Sequence, residues 1–120
     1  MRSRFFHRTD WQAAQKILRG GFKDSTGHYL SSTLHTGVWV SDTPLDENEG
    51  ARGDTILSLA IDPKLMEEYE WIEEGKGYRE FLVPAKLLNE HARVRVHERE
   101  RRDGPHRLRP SVRRRPKSGL

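Results

Sequence analysis

Glu80 stands at the head of a short apolar run, Glu80-Phe81-Leu82-Val83, far downstream of a second apolar run that ends in a histidine, Phe5-Phe6-His7. A third segment between them, Gly37-Val38-Trp39-Val40-Ser41, adds an aromatic with the same strand-edge character. A carboxylate can stabilise positive charge developing on a sugar carbon, a histidine can hold a hydroxyl, and an indole can stack on a flat ring. Neither Glu80 nor His7 stands where a half-buried strand would need it for packing. The three together read as a cleft for a flat, ribose-bearing ligand.

The chain that must position them has 120 residues, enough for one domain with a modest core. It has no cysteine, which excludes a disulfide framework, a thiolate nucleophile and a thiol-based zinc site. No run approaches the roughly 20 apolar residues of a membrane span, and the basic N-terminus lacks the apolar segment of an export signal. A soluble, cytoplasmic protein is expected. Residues 97–120 hold nine Lys or Arg against three Asp or Glu, so the net charge of +4 conceals a slightly acidic remainder. The division expected is a globular domain over 1–97 and a basic, disordered tail over 98–120.

Residues 3–8 read as a strand, followed by a capping box on Thr9-Asp10-Trp11-Gln12 and a helix with Trp11, Ala14, Ile17 and Leu18 on one face. Gly20-Gly21 stops that helix, and Phe22 returns to the core. Residues 23–36 read as a loop, 37–41 as a strand and 42–54 as an acidic loop. Thr55 to Ile61 alternates as a strand packed on at least one face, and Asp62-Pro63 opens a short helix. Two strands near 69–73 and 78–83 join through Gly75-Lys76-Gly77. Pro84 begins a helical turn through Leu88, and 92–96 forms the last strand. The order gives an α+β fold.

Three of these segments resemble the motifs of one family. Arg4-Phe5-Phe6-His7-Arg8-Thr9, running into a helix that ends Ile17-Leu18-Arg19-Gly20-Gly21-Phe22, is similar to the opening of the ADP-ribosyltransferase superfamily in its diphtheria-toxin and poly(ADP-ribose) polymerase branch. Gly37-Val38-Trp39-Val40-Ser41-Asp42 resembles that branch's Gly-Ile-Tyr-Phe-Ala/Ser-Asp motif. Tyr78-Arg79-Glu80-Phe81-Leu82-Val83 resembles the segment that carries its catalytic glutamate. The resemblance spans residues 4 to about 96 and implies mostly antiparallel strands in two small sheets around an NAD cleft. It implies NAD as co-substrate, Glu80 as the catalytic carboxylate, and His7, Arg8, Thr9, Trp39 and Ser41 as cofactor-binding residues. His7 would hold the adenosine ribose, the backbone of Arg8 the carboxamide, and Trp39 would stack on the nicotinamide. Arg8 stands where the family has Gly and Trp39 where it has Tyr, and no second aromatic follows Trp39. Tyr78, two residues before Glu80, disfavours arginine as acceptor.

A single carboxylate suffices for this chemistry. The nicotinamide leaving group is already a pyridinium cation and departs neutral, so no general acid is required. The small size favours transfer of one unit to an acceptor that the sequence leaves open: protein, nucleic acid or small molecule. Two further readings stand beside it: a weak or inactive NAD or ADP-ribose-binding module, and a nucleic-acid-binding protein acting through its basic tail. Taken singly, Glu80 reads as an exposed strand residue, His7 as a structural histidine and Trp39 as core. Trp11 and Trp71 read as core, and the run Glu67, Glu68, Glu70, Glu73, Glu74 as a solvated face. His28 and His35 lack partners at ligand spacing, so no metal site is expected.

Overall fold

In a computed structural model of the chain, residues 2–28, 34–45 and 53–100 are described. The strands are β1 (Ser3–Thr9), β2 (Ser25–His28), β3 (Leu34–Ser41), β4 (Thr55–Ile61), β5 (Glu70–Trp71), β6 (Glu80–Val83) and β7 (Arg93–Arg99). Two helices, α1 (Trp11–Gly20) and α2 (Ala85–His91), and two short 3-10 turns, Pro63–Leu65 and Glu67–Tyr69, complete the α+β fold. The strands form one antiparallel sheet in the order β5-β6-β3-β1-β4-β7, with β2 paired to β3.

The two small sheets expected from the sequence are therefore joined, but narrowly. β1 pairs with β4 along its whole length, from Ser3↔Ile61 to Thr9↔Thr55. Towards β3 it makes, among the described residues, the single registered pair Phe6↔Ser41. One half-sheet is β1-β4-β7, the other β5-β6-β3-β2, and a seam lies between them.

Antiparallel register puts paired residues on one face of a sheet, and alternate residues on opposite faces. On the helix face, Phe5, Leu57, Leu59, Val38, Val40, Phe81 and Val83 form a buried cluster with Ala14 of α1 and Leu88 of α2. Phe5 and Phe81 meet edge to face at 5.3 Å across the intervening β3. On the second face, one row runs Phe6–Ser41–Glu80–Trp71 through four adjacent strands. β4 is buried on both faces, because Ile56 and Ser58 of its second face are buried along with its leucines.

Several local expectations are corrected. The N-cap of α1 is Asp10, whose carboxylate accepts from the Ala13 amide at 2.7 Å; Thr9 is the last residue of β1. Leu18 is exposed and lies off the packed stripe of Trp11, Ala14 and Ile17. The loop expected over 23–36 contains β2 and the start of β3, because Ser25 to His28 pairs with Leu34 to Gly37 despite its polar composition. β5 and β6 are shorter than expected, so their connection is longer than a tight turn. β7 continues through Arg99, past the boundary expected at 97: His97 packs on Phe6 at 5.0 Å, and the Arg99 guanidinium lies 4.1 Å from the Trp11 ring. The acidic loop at Glu47 to Gly50 and the tail over 101–120 lie outside the described residues. No helix of the described residues is long and apolar enough to cross a membrane.

Candidate active site at the seam

The seam opens where β1 runs on past Phe6. There the His7 Nδ1 donates to the Trp39 carbonyl at 2.8 Å, so an imidazole spans the gap that ladder hydrogen bonds would otherwise close. A carbonyl only accepts, which places the proton on Nδ1 and leaves Nε2 as an acceptor. Burial lowers the His7 pKa below 6.5, and the bond to Trp39 opposes this less strongly. His7 is half-buried by surface area, yet enough protein crowds its ring to keep it neutral near pH 7. A neutral imidazole with a free Nε2 lone pair suits a ligand hydroxyl.

Beside His7 lies a cavity of about 810 Å³, bounded by His7 and Thr9 of β1, Ile17 of α1, Phe22, Val38 of β3 and Gly53. This lies within the usual range of small-molecule sites, ~300–1,000 Å³. The sequence builds its wall locally. Gly21, at φ +91°, ends α1, and its amide returns to the Ile17 carbonyl at 2.8 Å. Phe22 is then clamped by Asn89 of α2, which accepts from its amide at 2.7 Å and donates to its carbonyl at 3.0 Å. The Asp24 carboxylate accepts from the Ala85 amide at the start of α2, also at 2.7 Å. The Phe22 ring thereby meets His7 edge-on at 5.4 Å.

Arg8 borders the cavity but its guanidinium does not fill it. Nε donates to the Gly53 carbonyl at 2.8 Å and a terminal nitrogen to the Leu45 carbonyl at 3.1 Å, with the Glu100 carboxylate 3.7 Å away. The guanidinium is thus held by two backbone carbonyls. Gly53 is needed for this arrangement: it has φ +112°, and a Cβ there would stand 2.2 Å from the Thr9 carbonyl carbon.

Glu80 opens β6 opposite both Ser41 and Trp71. Its carboxylate is paired with the Lys76 ammonium, which also lies 3.5 Å from Glu73 and 5.3 Å from the centre of the Tyr78 ring. The preceding residue is pinned from two sides. The Arg79 amide donates to the Asp42 carboxylate at 2.9 Å, and the Asp42 amide donates to the Arg79 carbonyl at 3.0 Å. The Arg79 guanidinium forms a bidentate pair with Glu70, at 2.9 and 2.7 Å, which lowers the Glu70 pKa through that hydrogen bond. Asp42, the last residue of the Trp39 motif, therefore positions the Glu80 strand.

Trp39 is half-buried, with its ring 5.4 Å from Trp71, whose ring in turn lies 4.7 Å from His35. Trp71, read from the sequence as core, lies outside the buried cluster. It is half-buried and supplies, from the edge strand, an aromatic beside Trp39 and Glu80. Reading along the chain missed it because the neighbour arrives by strand pairing; the available signal was an indole inside an acidic run. Ser41, expected to touch a cofactor, has its buried hydroxyl engaged instead, donating to the Thr43 carbonyl at 2.6 Å and lying 3.5 Å from that of Phe6. Its role is to hold the seam and the turn after β3.

His7, Trp39 and Glu80 thus fall on three neighbouring strands, each within two residues of the Phe6–Ser41–Glu80 row. Two strand spacings, about 10 Å, separate the backbones of β1 and β6. Trp39 and Glu80 share the second face, whereas the His7 ring turns to Phe22 on the helix face. The cavity borders His7, Arg8 and Thr9 but not Trp39 or Glu80. No cluster of metal-ligating side chains occurs among the described residues. No family model, curated protein or solved structure matches the chain.

Proposed function

We propose that the chain transfers a single ADP-ribose unit from NAD to an acceptor, within an ADP-ribosyltransferase-like arrangement of the seam. The observation that carries this reading is the row Phe6–Ser41–Glu80, which crosses three adjacent strands at the point where the sheet opens and His7 bridges the gap. His7 Nε2 accepts from a ribose hydroxyl, Arg8 and Thr9 border the bound ligand, and Trp39, with Trp71 beside it, offers an aromatic surface to the nicotinamide. Glu80 stabilises the positive charge that develops on the nicotinamide ribose. The glycosidic C–N bond breaks with its electron pair going to the nicotinamide nitrogen. The acceptor's lone pair forms the new bond at the same carbon, and the acceptor's proton leaves to solvent.

The test is incubation of the full chain with labelled NAD and a broad acceptor mixture, alongside Glu80→Gln. Transfer or slow NAD hydrolysis by the wild type, reduced about 10²–10³-fold in the variant, is the expected result. Absence of both activities, or equal activity in the variant, defeats the reading. One observation favours a second reading, an ADP-ribose-binding module without turnover: the Glu80 carboxylate is already paired with Lys76, on the face away from the His7 ring. Calorimetric binding of ADP-ribose with no consumption of NAD is its signature.

A further inference from the structure

We propose that Lys16, Arg19 and Lys23 form a diphosphate-binding subsite at the mouth of the cavity, and that its ligand is a nucleoside diphosphate. The inference rests on the reading that the cavity holds a ribose, and it adds where the attached phosphates go.

Ala13, Lys16, Ile17 and Gly20 all border the cavity, at the i, i+3, i+4, i+7 spacing of a single helical stripe. Lys16 is exposed and lies off the packed stripe of Trp11, Ala14 and Ile17, which places it at the rim of the cavity. Arg19 borders the same space one residue before Gly20, and Lys23 does so just after the Gly21-Phe22 turn. Three cations thus reach one opening from both sides of a turn whose geometry is held by Gly21 and Asn89. Among the described residues none of the three is in a salt bridge. Asp10 is the acidic residue at the cavity, and its carboxylate caps α1 at Ala13.

The second face has the opposite character. There Arg8 lies near Glu100, and Lys76 is paired with Glu80 and Glu73. Cations with no carboxylate partner among the described residues, set around a concave, low-dielectric wall, concentrate their field on the opening. A guanidinium among them can grip phosphate oxygens in bidentate fashion. Arg19 also lies in the last turn of α1, where a cation complements the helix dipole whatever the ligand. The experiment therefore has to read phosphate recognition rather than stability.

Calorimetry of the full chain with adenosine and with ADP isolates the phosphate contribution. ADP is expected to bind about 100-fold more tightly than adenosine, as for two or more charge-assisted contacts, with the advantage shrinking as salt rises. In the combined variant Lys16→Gln, Arg19→Gln, Lys23→Gln, adenosine affinity should hold while the ADP advantage falls to within about threefold. Equal binding of ADP and adenosine by the wild type overturns the subsite, and so does an ADP advantage that survives in the variant. If the combined variant does not fold, Lys23→Gln, outside the helix, must still lose ADP affinity about threefold to tenfold at an unchanged melting temperature; no loss overturns the proposal. A 5′-phosphorylated single-stranded oligonucleotide binding more tightly than ADP overturns the assignment to a nucleoside diphosphate. An intact ADP advantage without NAD turnover upholds the subsite while the transfer reading fails. No binding of either ligand overturns both the subsite and the ribose reading.

Discussion

The two faces of this sheet carry chemistry of opposite sign. On the helix face, His7 lines a cavity bordered by Lys16, Arg19 and Lys23, none of which has a carboxylate partner among the described residues. On the second face, Trp39 and Trp71 lie beside Glu80, and Lys76 is tied to Glu80 and Glu73. A dinucleotide such as NAD has the same polarity, an anionic diphosphate at one part and a cationic pyridinium at another. Between the two faces, β1 and β3 share, among the described residues, one registered pair, and the His7 imidazole bonds across the gap beside it.

The sharpest way to break the cavity side is through Gly53. A Cβ at this position meets the Thr9 backbone at 2.2 and 2.3 Å, and φ is +112°. Gly53→Ala is expected to cost about 2–4 kcal/mol and to weaken nucleotide binding, leaving the Trp39–Trp71 pair in place. Urea unfolding and tryptophan fluorescence read the two effects separately; a stability change under about 0.5 kcal/mol contradicts the close approach.

A smaller effect is expected at Asn89. Replacing it with Ala removes two hydrogen bonds to the Phe22 backbone, at 2.7 and 3.0 Å, and loosens the wall behind His7. A loss of about 1–3 kcal/mol should accompany weaker ligand binding, with the Glu80 side unaffected. If amide exchange at Phe22 is no faster in the variant, Asn89 does not hold that wall.

The mildest test concerns the bridge itself. The His7 pKa is lowered from 6.5 by burial, so below that pH the unfolded chain binds the proton more readily than the folded one. The stability associated with neutral His7 is complete above pH 6.5 and is lost as pH falls towards the folded pKa. His7→Gln should flatten that part of the curve, measured as urea midpoints from about pH 7.5 down to about pH 5. An unchanged slope in the variant would show that other groups govern it.

Much of the scaffold was legible along the chain. Thr55 to Ile61 was readable from alternation, the end of α1 from Gly20-Gly21, and the turn at Asp62-Pro63 from its cap, whose carboxylate accepts from the Lys64 amide at 2.9 Å. β2 was not, because its Ser, Thr and Gly become a strand only by lying against β3. The extension of β7 depends on Phe6 and Trp11 as distant partners for His97 and Arg99. At the site, His7, Trp39 and Glu80 could be singled out by residue type, whereas the engagement of Ser41, the withdrawal of the Arg8 guanidinium and the arrival of Trp71 could not.

The sequence by itself determined the α+β class, most element positions and the residue types available for chemistry, because periodicity, caps and turn residues act over a few neighbours. Only the tertiary structure decided that β1 and β3 meet at one pair, that His7 bonds the Trp39 carbonyl there, and which face each candidate occupies. Register between strands distant in the chain is set by how their side chains pack together, and a shift of one residue would exchange the two faces.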